Sequence, residues 1–316
     1  MKRQALRRGP GQRQRGQVLV IFTIAAVAII AMVGLVIDGG WTFVQRRDQQ
    51  NVADSAAMAA GYAYVNSNYS AATAVAAAKN NAAANGYQDG VNNVAVDVSI
   101  SSSTINVTVS KPHQNYFAGI VGFSSWNVSA TAQTKAGVPN QAIGAMPLIF
   151  NQKVLQSPYG YGSSYERSYD EPGSGTEDVP QTATAFNWSV FCTSNGSDCN
   201  ASSDQVDSLI DGHNSNPQTV TTAMVIGPLN AGAHTTLFSD MAAYVGQDCF
   251  PVAIVDDSGT FQYLASFCLT GSLGGDTKEV RGYFEGPIEG DSFDIVPGVP
   301  GGTTVYGGVY VVRLTN

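Results

Sequence analysis

Residues 18–37 carry no charged side chain, and hydrophobic positions occupy every face that a helix over this run would present. At about 1.5 Å of rise per residue the run spans about 30 Å, the thickness of a bilayer's hydrocarbon core. The pattern predicts a transmembrane helix that continues past the membrane. No proline occurs from residue 41 to residue 65, and Trp41, Val44, Val52, Met58, Tyr62 and Val65 keep a loose helical spacing. Gly39 and Gly40 mark an expected kink. Ala53, Ala57 and Gly61 recur every four residues, with Ala56 and Ala60 beside them. Such a stripe of small residues lets another backbone approach closely, either in the same domain or in a partner. A second Ala-rich helix is expected over residues 71–84, with Ser70 as its N-cap and Gly86 just past its end.

The period then changes to two. Val94, Val96, Val98 and Ile100 alternate with small or polar residues, and after residues 101–104 the alternation resumes at Ile105, Val107 and Val109. This predicts a hairpin with one buried face, and Trp126, Val128, Ala130 and Ala132 suggest a third strand. A long helix covering an antiparallel meander is an α+β arrangement.

Near Val138-Pro139 a second domain is expected to begin. Strands are predicted over 146–150, 250–255, 261–269, 280–284 and 305–314, and helices through Ile210, capped by Ser203 and closed by Gly212, and over 233–245. The segment 157–181 is rich in Gly, Ser, Tyr and acidic residues and reads as a long exposed loop. The expected organisation is a basic head (1–17), a transmembrane helix (18–37), a helix-plus-antiparallel-sheet domain (38–138) and a β-rich, disulfide-containing domain (139–316).

Charge fixes the expected orientation. Lys2, Arg3, Arg7, Arg8, Arg13 and Arg15 precede Gly16 with no acidic residue among them, leaving ten basic against 24 acidic residues in the remainder. Basic flanks stay on the cytoplasmic side, so the bulk of the chain is expected outside, held in the cytoplasmic membrane by a single pass. Nucleic-acid binding needs its basic residues on a folded face and is not expected; a basic tail beside anionic lipid is. A cleaved secretory signal has a shorter apolar region with a small-residue cleavage site close behind, whereas this run exits into Asp38-Gly39-Gly40-Trp41.

All four cysteines, Cys192, Cys199, Cys249 and Cys268, fall in the portion expected outside, where an even number suggests two disulfides. If Ser258-Gly259 is a hairpin turn, the antiparallel register places residue 249 opposite residue 268, within disulfide reach. Cys192 and Cys199 would then close a small loop around Asn195-Gly196, although Pro251 weakens the ladder on which this choice rests. A four-Cys zinc site is disfavoured, because no C-x-x-C pair is present.

Candidate catalytic chemistry is sparse. His113, His213 and His234 lie in no H-E-x-x-H pattern, and neither a G-x-S-x-G elbow nor a G-x-x-x-x-G-K-[ST] loop occurs. Asp257-Ser258-Gly259-Thr260 resembles one arm of an aspartic protease, but that chemistry needs two carboxylates and a turn explains the residues more simply. Asp204, Asp207 and Asp211 do not match a calcium loop and read as a solvated helix face. No enzyme activity, cofactor or metal is expected.

Three segments carry a family resemblance. Arg15-Gly16-Gln17-Val18-Leu19-Val20-Ile21-Phe22 resembles the R-G-Q-A-L-V-E-F start of TadE/TadG-like Flp (tight adherence) pilus-assembly proteins. Asp38-Gly39-Gly40 is similar to that family's D-x-G, and Gln50-Asn51-Val52-Ala53-Asp54-Ser55-Ala56-Ala57-Met58-Ala59 is similar to its Q-N-A-A-D-A-A-A-L-A. The resemblance implies assembly or anchor roles for Gly16, Gln17, Phe22, Asp38, Gly40, Gln50, Asn51 and Asp54. Ile21 stands where members processed like prepilins carry Glu, which favours the TadG-like branch and implies an uncleaved, membrane-retained component. The implied function is a structural role in Flp/Tad pilus assembly or a Tad-type secretion apparatus, with inner-membrane Tad platform proteins, pilin subunits and the lipid bilayer as partners. The alternative is a membrane-tethered surface adhesin or envelope-binding protein, with Tyr-rich residues 159–169 as its contact loop. The sequence names no small-molecule ligand.

Overall fold

The computed structural model describes residues 15–156, 158–172, 179–193, 201–227, 234–286, 288, 292–296 and 310–315. Its N-terminal part is built from α1 (Arg15–Asn66), α2 (Ala71–Ala84), β1 (Ala95–Ser101), β2 (Thr104–Gln114) and β3 (Ser125–Gly137). There follow β4 (Gln141–Ile143), β5 (Leu148–Asn151), β6 (Arg167–Asp170), β7 (Phe186–Trp188) and β8 (Phe191–Cys192). The rest comprises α3 (Ser203–Ser215), β9 (Thr219–Thr221), β10 (Val225–Ile226), α4 (Thr235–Met241), β11 (Phe250–Val255), β12 (Phe261–Leu273), β13 (Glu279–Glu285), β14 (Phe293–Asp294) and β15 (Val311–Thr315). The fold class is α+β, as the sequence predicts. Two compact units can be distinguished: residues 1–53, 82–97 and 108–131, and residues 54–81, 98–107 and 132–316.

In the first unit, α1 passes through Gly39 and Gly40 as unbroken helix. The predicted kink does not interrupt it: Ala-rich and apolar turns on both sides carry the helix through two weak formers. The segment from residue 18 is long and apolar enough to cross a membrane, with only 6% of its most apolar window buried in the chain.

In the second unit, the small-residue stripe is consumed within the fold. Ala56, Ala57, Ala60 and Gly61 are buried, and a Cβ placed on Gly61 would come within 2.6 Å of Val312 and 2.9 Å of Thr134. The helix therefore lies almost backbone-to-sheet, because no side chain separates it from β3 and β15. β15 pairs antiparallel with β3, Val312 opposite Ala136, and completes a four-stranded sheet of order β1-β2-β3-β15. A C-terminal strand thus closes a sheet begun far earlier in the chain. Ser70 caps α2, its hydroxyl oxygen accepting from the Thr73 N–H at 3.3 Å, and Gly86 takes the left-handed φ of 85° past the helix end.

The larger core is a six-stranded sheet of order β6-β13-β12-β11-β5-β7. Every residue of the central strand β11 is buried, as expected for a continuous apolar run. Among the described residues the β5–β11 ladder is the one parallel strand pairing of this sheet, beside a lone parallel bridge from Asp170 to Ala185, and it begins at Ala253, beyond Pro251, whose missing N–H therefore costs that ladder nothing. Phe150, Tyr169, Phe186, Trp188, Phe267 and Phe284 pack as mostly edge-on or tilted rings 5.0–6.2 Å apart. Burial of Tyr169 corrects the expected exposed loop over 157–181. Its described part instead forms one 3-10 turn (Ser163–Tyr165) and the edge strand β6, since Tyr169 pairs with Val280 and fills the core.

Cys249 and Cys268 form a disulfide with their Cα atoms 4.1 Å apart. The hairpin has the register anticipated from the turn, Phe250 opposite Phe267, with a bulge between Ile254 and Val255 near its tip. Cys192 is also disulfide-bonded, and Cys199 lies outside the described residues. The cap of α3 is Ser202 rather than the expected Ser203, because Ser202 and Gln205 form a reciprocal capping box, and the helix runs past the expected stop at Gly212 to Ser215.

Candidate functional site: a carboxylate clamp beside the apolar helix

Asp38 ends the uncharged run, yet it is fully buried. Its carboxylate accepts three backbone N–H bonds, from Tyr116 at 3.0 Å, Phe117 at 2.9 Å and Ala118 at 2.7 Å. Burial by itself raises the pKa of this group; the three amides and nearby His113 outweigh that and hold it below the usual 3.8. Asp38 is therefore an anion at neutral pH, fitted to a loop that turns successive N–H groups toward it.

That loop, residues 115–124, is closed on itself. The Asn115 N–H donates to the Ser124 carbonyl at 2.9 Å, the Asn115 amide group to the Phe123 carbonyl at 2.8 Å, and the Phe123 N–H to the Ala118 carbonyl at 3.0 Å. Gly122, at a φ of 99°, supplies the left-handed turn that L side chains resist. Gly34, one helical turn before Asp38, is buried under the same loop. A Cβ there would meet Phe117 Cβ at 2.6 Å. The helix thus offers the loop a flat seat at position 34 and an anion at position 38.

The same face of α1 continues toward the sheet. Gln45 and Gln49 both donate to the Lys111 carbonyl, at 2.9 and 3.3 Å. His113 Nδ1 lies 2.8 Å from Gln45 Oε1; an amide oxygen only accepts, so Nδ1 carries the proton. Gln50 donates to the Thr131 carbonyl at 3.2 Å. Positions 34, 38, 45 and 49 are spaced by four and seven, the interval that keeps side chains on one helical face.

The motif residues separate accordingly. Asp38 and Gln50 bond to backbone across the unit, whereas Phe22, Gly40 and Asn51 are exposed and Asp54 is half-buried. A Cβ on Gly40 would meet nothing within 4 Å. Gly16 and Gln17 fall in the first turn of α1, and their side chains lie outside the described residues. Gly34 and the loop at 115–124 were missed by sequence reasoning. A glycine inside an apolar run gives no periodic signal, but the uncharged, aromatic stretch N-Y-F-A-G-I-V-G-F after a strand was a usable one.

The remaining candidates have structural explanations. Asp256 accepts from the Ser258 N–H at 2.9 Å and the Thr260 N–H at 3.0 Å, an Asx-type turn, and Asp257 pairs with Lys153 at 2.7 Å. His213 bonds through Nδ1 to the Gly144 carbonyl oxygen, and His234 bonds Glu171 in the interior. Cys249, Cys268 and Glu285 converge, but both sulfurs are spent in the disulfide and Glu285 accepts from Ser266. The clamp at Asp38 joins a buried carboxylate of α1 to three consecutive backbone amides of the loop.

Residues 16–80, about a fifth of the chain, match the family model described as "Putative Flp pilus-assembly TadE/G-like". The matched stretch covers the apolar helix, its continuation to Asn66 and most of α2. No curated protein and no solved structure matches the chain.

Proposed function

We propose that this chain, TadE/G-like over residues 16–80, is a membrane-anchored structural component of Flp/Tad pilus assembly or of a Tad-type secretion apparatus, minor-pilin-like and uncleaved. The observation that carries the reading is that most of the matched segment, residues 16–66, is one continuous helix, apolar at its start and packed on protein at its end. In this reading residues 18–37 sit in the cytoplasmic membrane, the basic head stays inside, and everything after Asp38 is outside. The bitopic helix joins inner-membrane Tad platform proteins to pilin subunits, and α1 transmits displacement because its outer turns are fixed.

Asp38 gives that arrangement its stiffness. A helix emerging from a membrane onto a folded domain pivots at the exit unless something there resists bending. Three hydrogen bonds to one buried carboxylate, with Phe117 seated on Gly34, resist it at that level. The role is structural; the work of assembly belongs to other components.

The test is an in-frame deletion of the gene, complemented in trans, scored for surface pili, for adhesion and for carbonate-resistant membrane association. Loss of pili with pilin still synthesised supports the proposal. Normal pili with lost attachment would favour the adhesin reading, and release of the protein by carbonate would contradict anchoring.

A further inference from the structure

An apolar groove of about 640 Å³ runs between α1 and the clamped loop. On the helix side its walls include Val27, Ile30 and Leu35; on the loop side they include Ile120, Phe123 and Trp126. None of these side chains is charged, and no Asp, Glu, Lys or Arg lies between Lys111 and Lys135. Val27 lies eleven residues before Asp38, so the groove reaches about 16 Å below the clamp along the helix. That depth falls inside the apolar span of about 30 Å rather than above it.

A loop at such a depth faces a strict condition: with no water available, its backbone polar groups must find partners within the protein. This loop meets much of it. The amides at positions 115–118, 120, 122 and 123 all donate to the chain itself, three of them to Asp38. Its side chains meet the complementary condition: Ile120 is 82% exposed and Phe123 65%. Tyr116, Trp126 and, one turn past Asp38, Trp41 add the amphipathic rings that favour the boundary between headgroups and acyl chains.

We propose that residues 116–126 form a second membrane-contacting element, dipping beside α1 into the leaflet where the span exits, and that a phospholipid acyl chain fills the groove between them. The inference rests on residues 18–37 spanning a bilayer, as proposed above. The exposed apolar surface of α1 runs without interruption into the groove, so lipid already bathes one wall. Asp38 then does more than stiffen the helix exit, because it satisfies the amides that would otherwise keep the loop out of lipid.

Full-length protein in phosphatidylcholine–phosphatidylglycerol vesicles tests this through its three tryptophans. Trp188 is buried in the distal core and serves as the unquenched reference. In a Trp41→Phe variant, lipids brominated high on the acyl chain, next to the headgroup, should reduce the Trp126 contribution to about half, since the loop holds that ring at the boundary between headgroups and acyl chains. Adding Phe123→Asp should remove most of that quenching while the protein still floats with the vesicles. Flotation without any quenching of Trp126 would overturn the loop proposal and leave the anchor standing; failure to float would overturn both. Efficient disulfide-linked dimers of an Ile120→Cys variant, again without quenching, would assign the groove to a second copy and overturn the lipid assignment.

Discussion

Phe117 rests on Gly34 so closely that even a methyl group at position 34 would overlap its Cβ and Cγ, each 2.6 Å away. Gly34→Leu should therefore lift the loop off the helix while sparing the apolar character of the span. The expected result is an unchanged yield in the membrane fraction and faster chymotrypsin cleavage at Tyr116 and Phe117. Gly39→Ala, at a position with open space around it, should leave cleavage as in the parent.

Asp38 makes the clamp depend on acid. Its folded-state pKa is depressed, so its stabilisation is complete above the unfolded value of 3.8 and is lost as the pH falls through the still lower folded value. Protease accessibility of the loop should stay flat from neutral pH down to about 5 and rise below 3.8. Asp38→Asn should show the raised accessibility already at pH 7, because the amide can no longer accept three N–H bonds as an anion.

Removing the hairpin disulfide by a double Cys249→Ser, Cys268→Ser change should destabilise the second unit by about 3 kcal/mol, the usual effect of opening a loop of this length. Thermal denaturation with and without reductant reads it out. Reductant should lower the Tm of the parent toward that of the double variant.

Gly282 shows a different constraint in the same sheet. A Cβ there would lie 2.3 Å from the Cys268 carbonyl oxygen and 2.5 Å from Phe267 Cζ. Gly282→Ala should cost about 1–3 kcal/mol by overpacking. The urea midpoint should fall without a change in slope.

The elements legible in the sequence are those whose signal is local. The bounds of α2 follow from an Ala-rich run between Ser70 and Gly86, and those of β11 from six consecutive apolar or proline residues. The Cys249–Cys268 pairing was readable from hairpin arithmetic, because a bulge between Ile254 and Val255 restores, behind a longer turn, the register that a two-residue turn would set. Pairings that depend on distant segments were not readable: β15 against β3, β6 against β13, and the parallel contact of β5 with β11 leave no periodic mark. At the candidate site, Asp38 stood out as a motif residue, but its function depends on three amides about 80 positions away. Gly34 was invisible for the opposite reason. Its contribution is the absence of a side chain beneath one ring, within a stretch whose composition already explained itself as lipid-facing.

Surface pili counted on cells whose only copy of the protein carries Asp38→Ala, at parental abundance in the membrane fraction, test the central claim most directly. If the buried carboxylate couples the membrane helix to the folded domain for assembly, those cells are bald although the anchor remains. Pili in parental number and length would show that assembly does not need the clamp, and the account would fail.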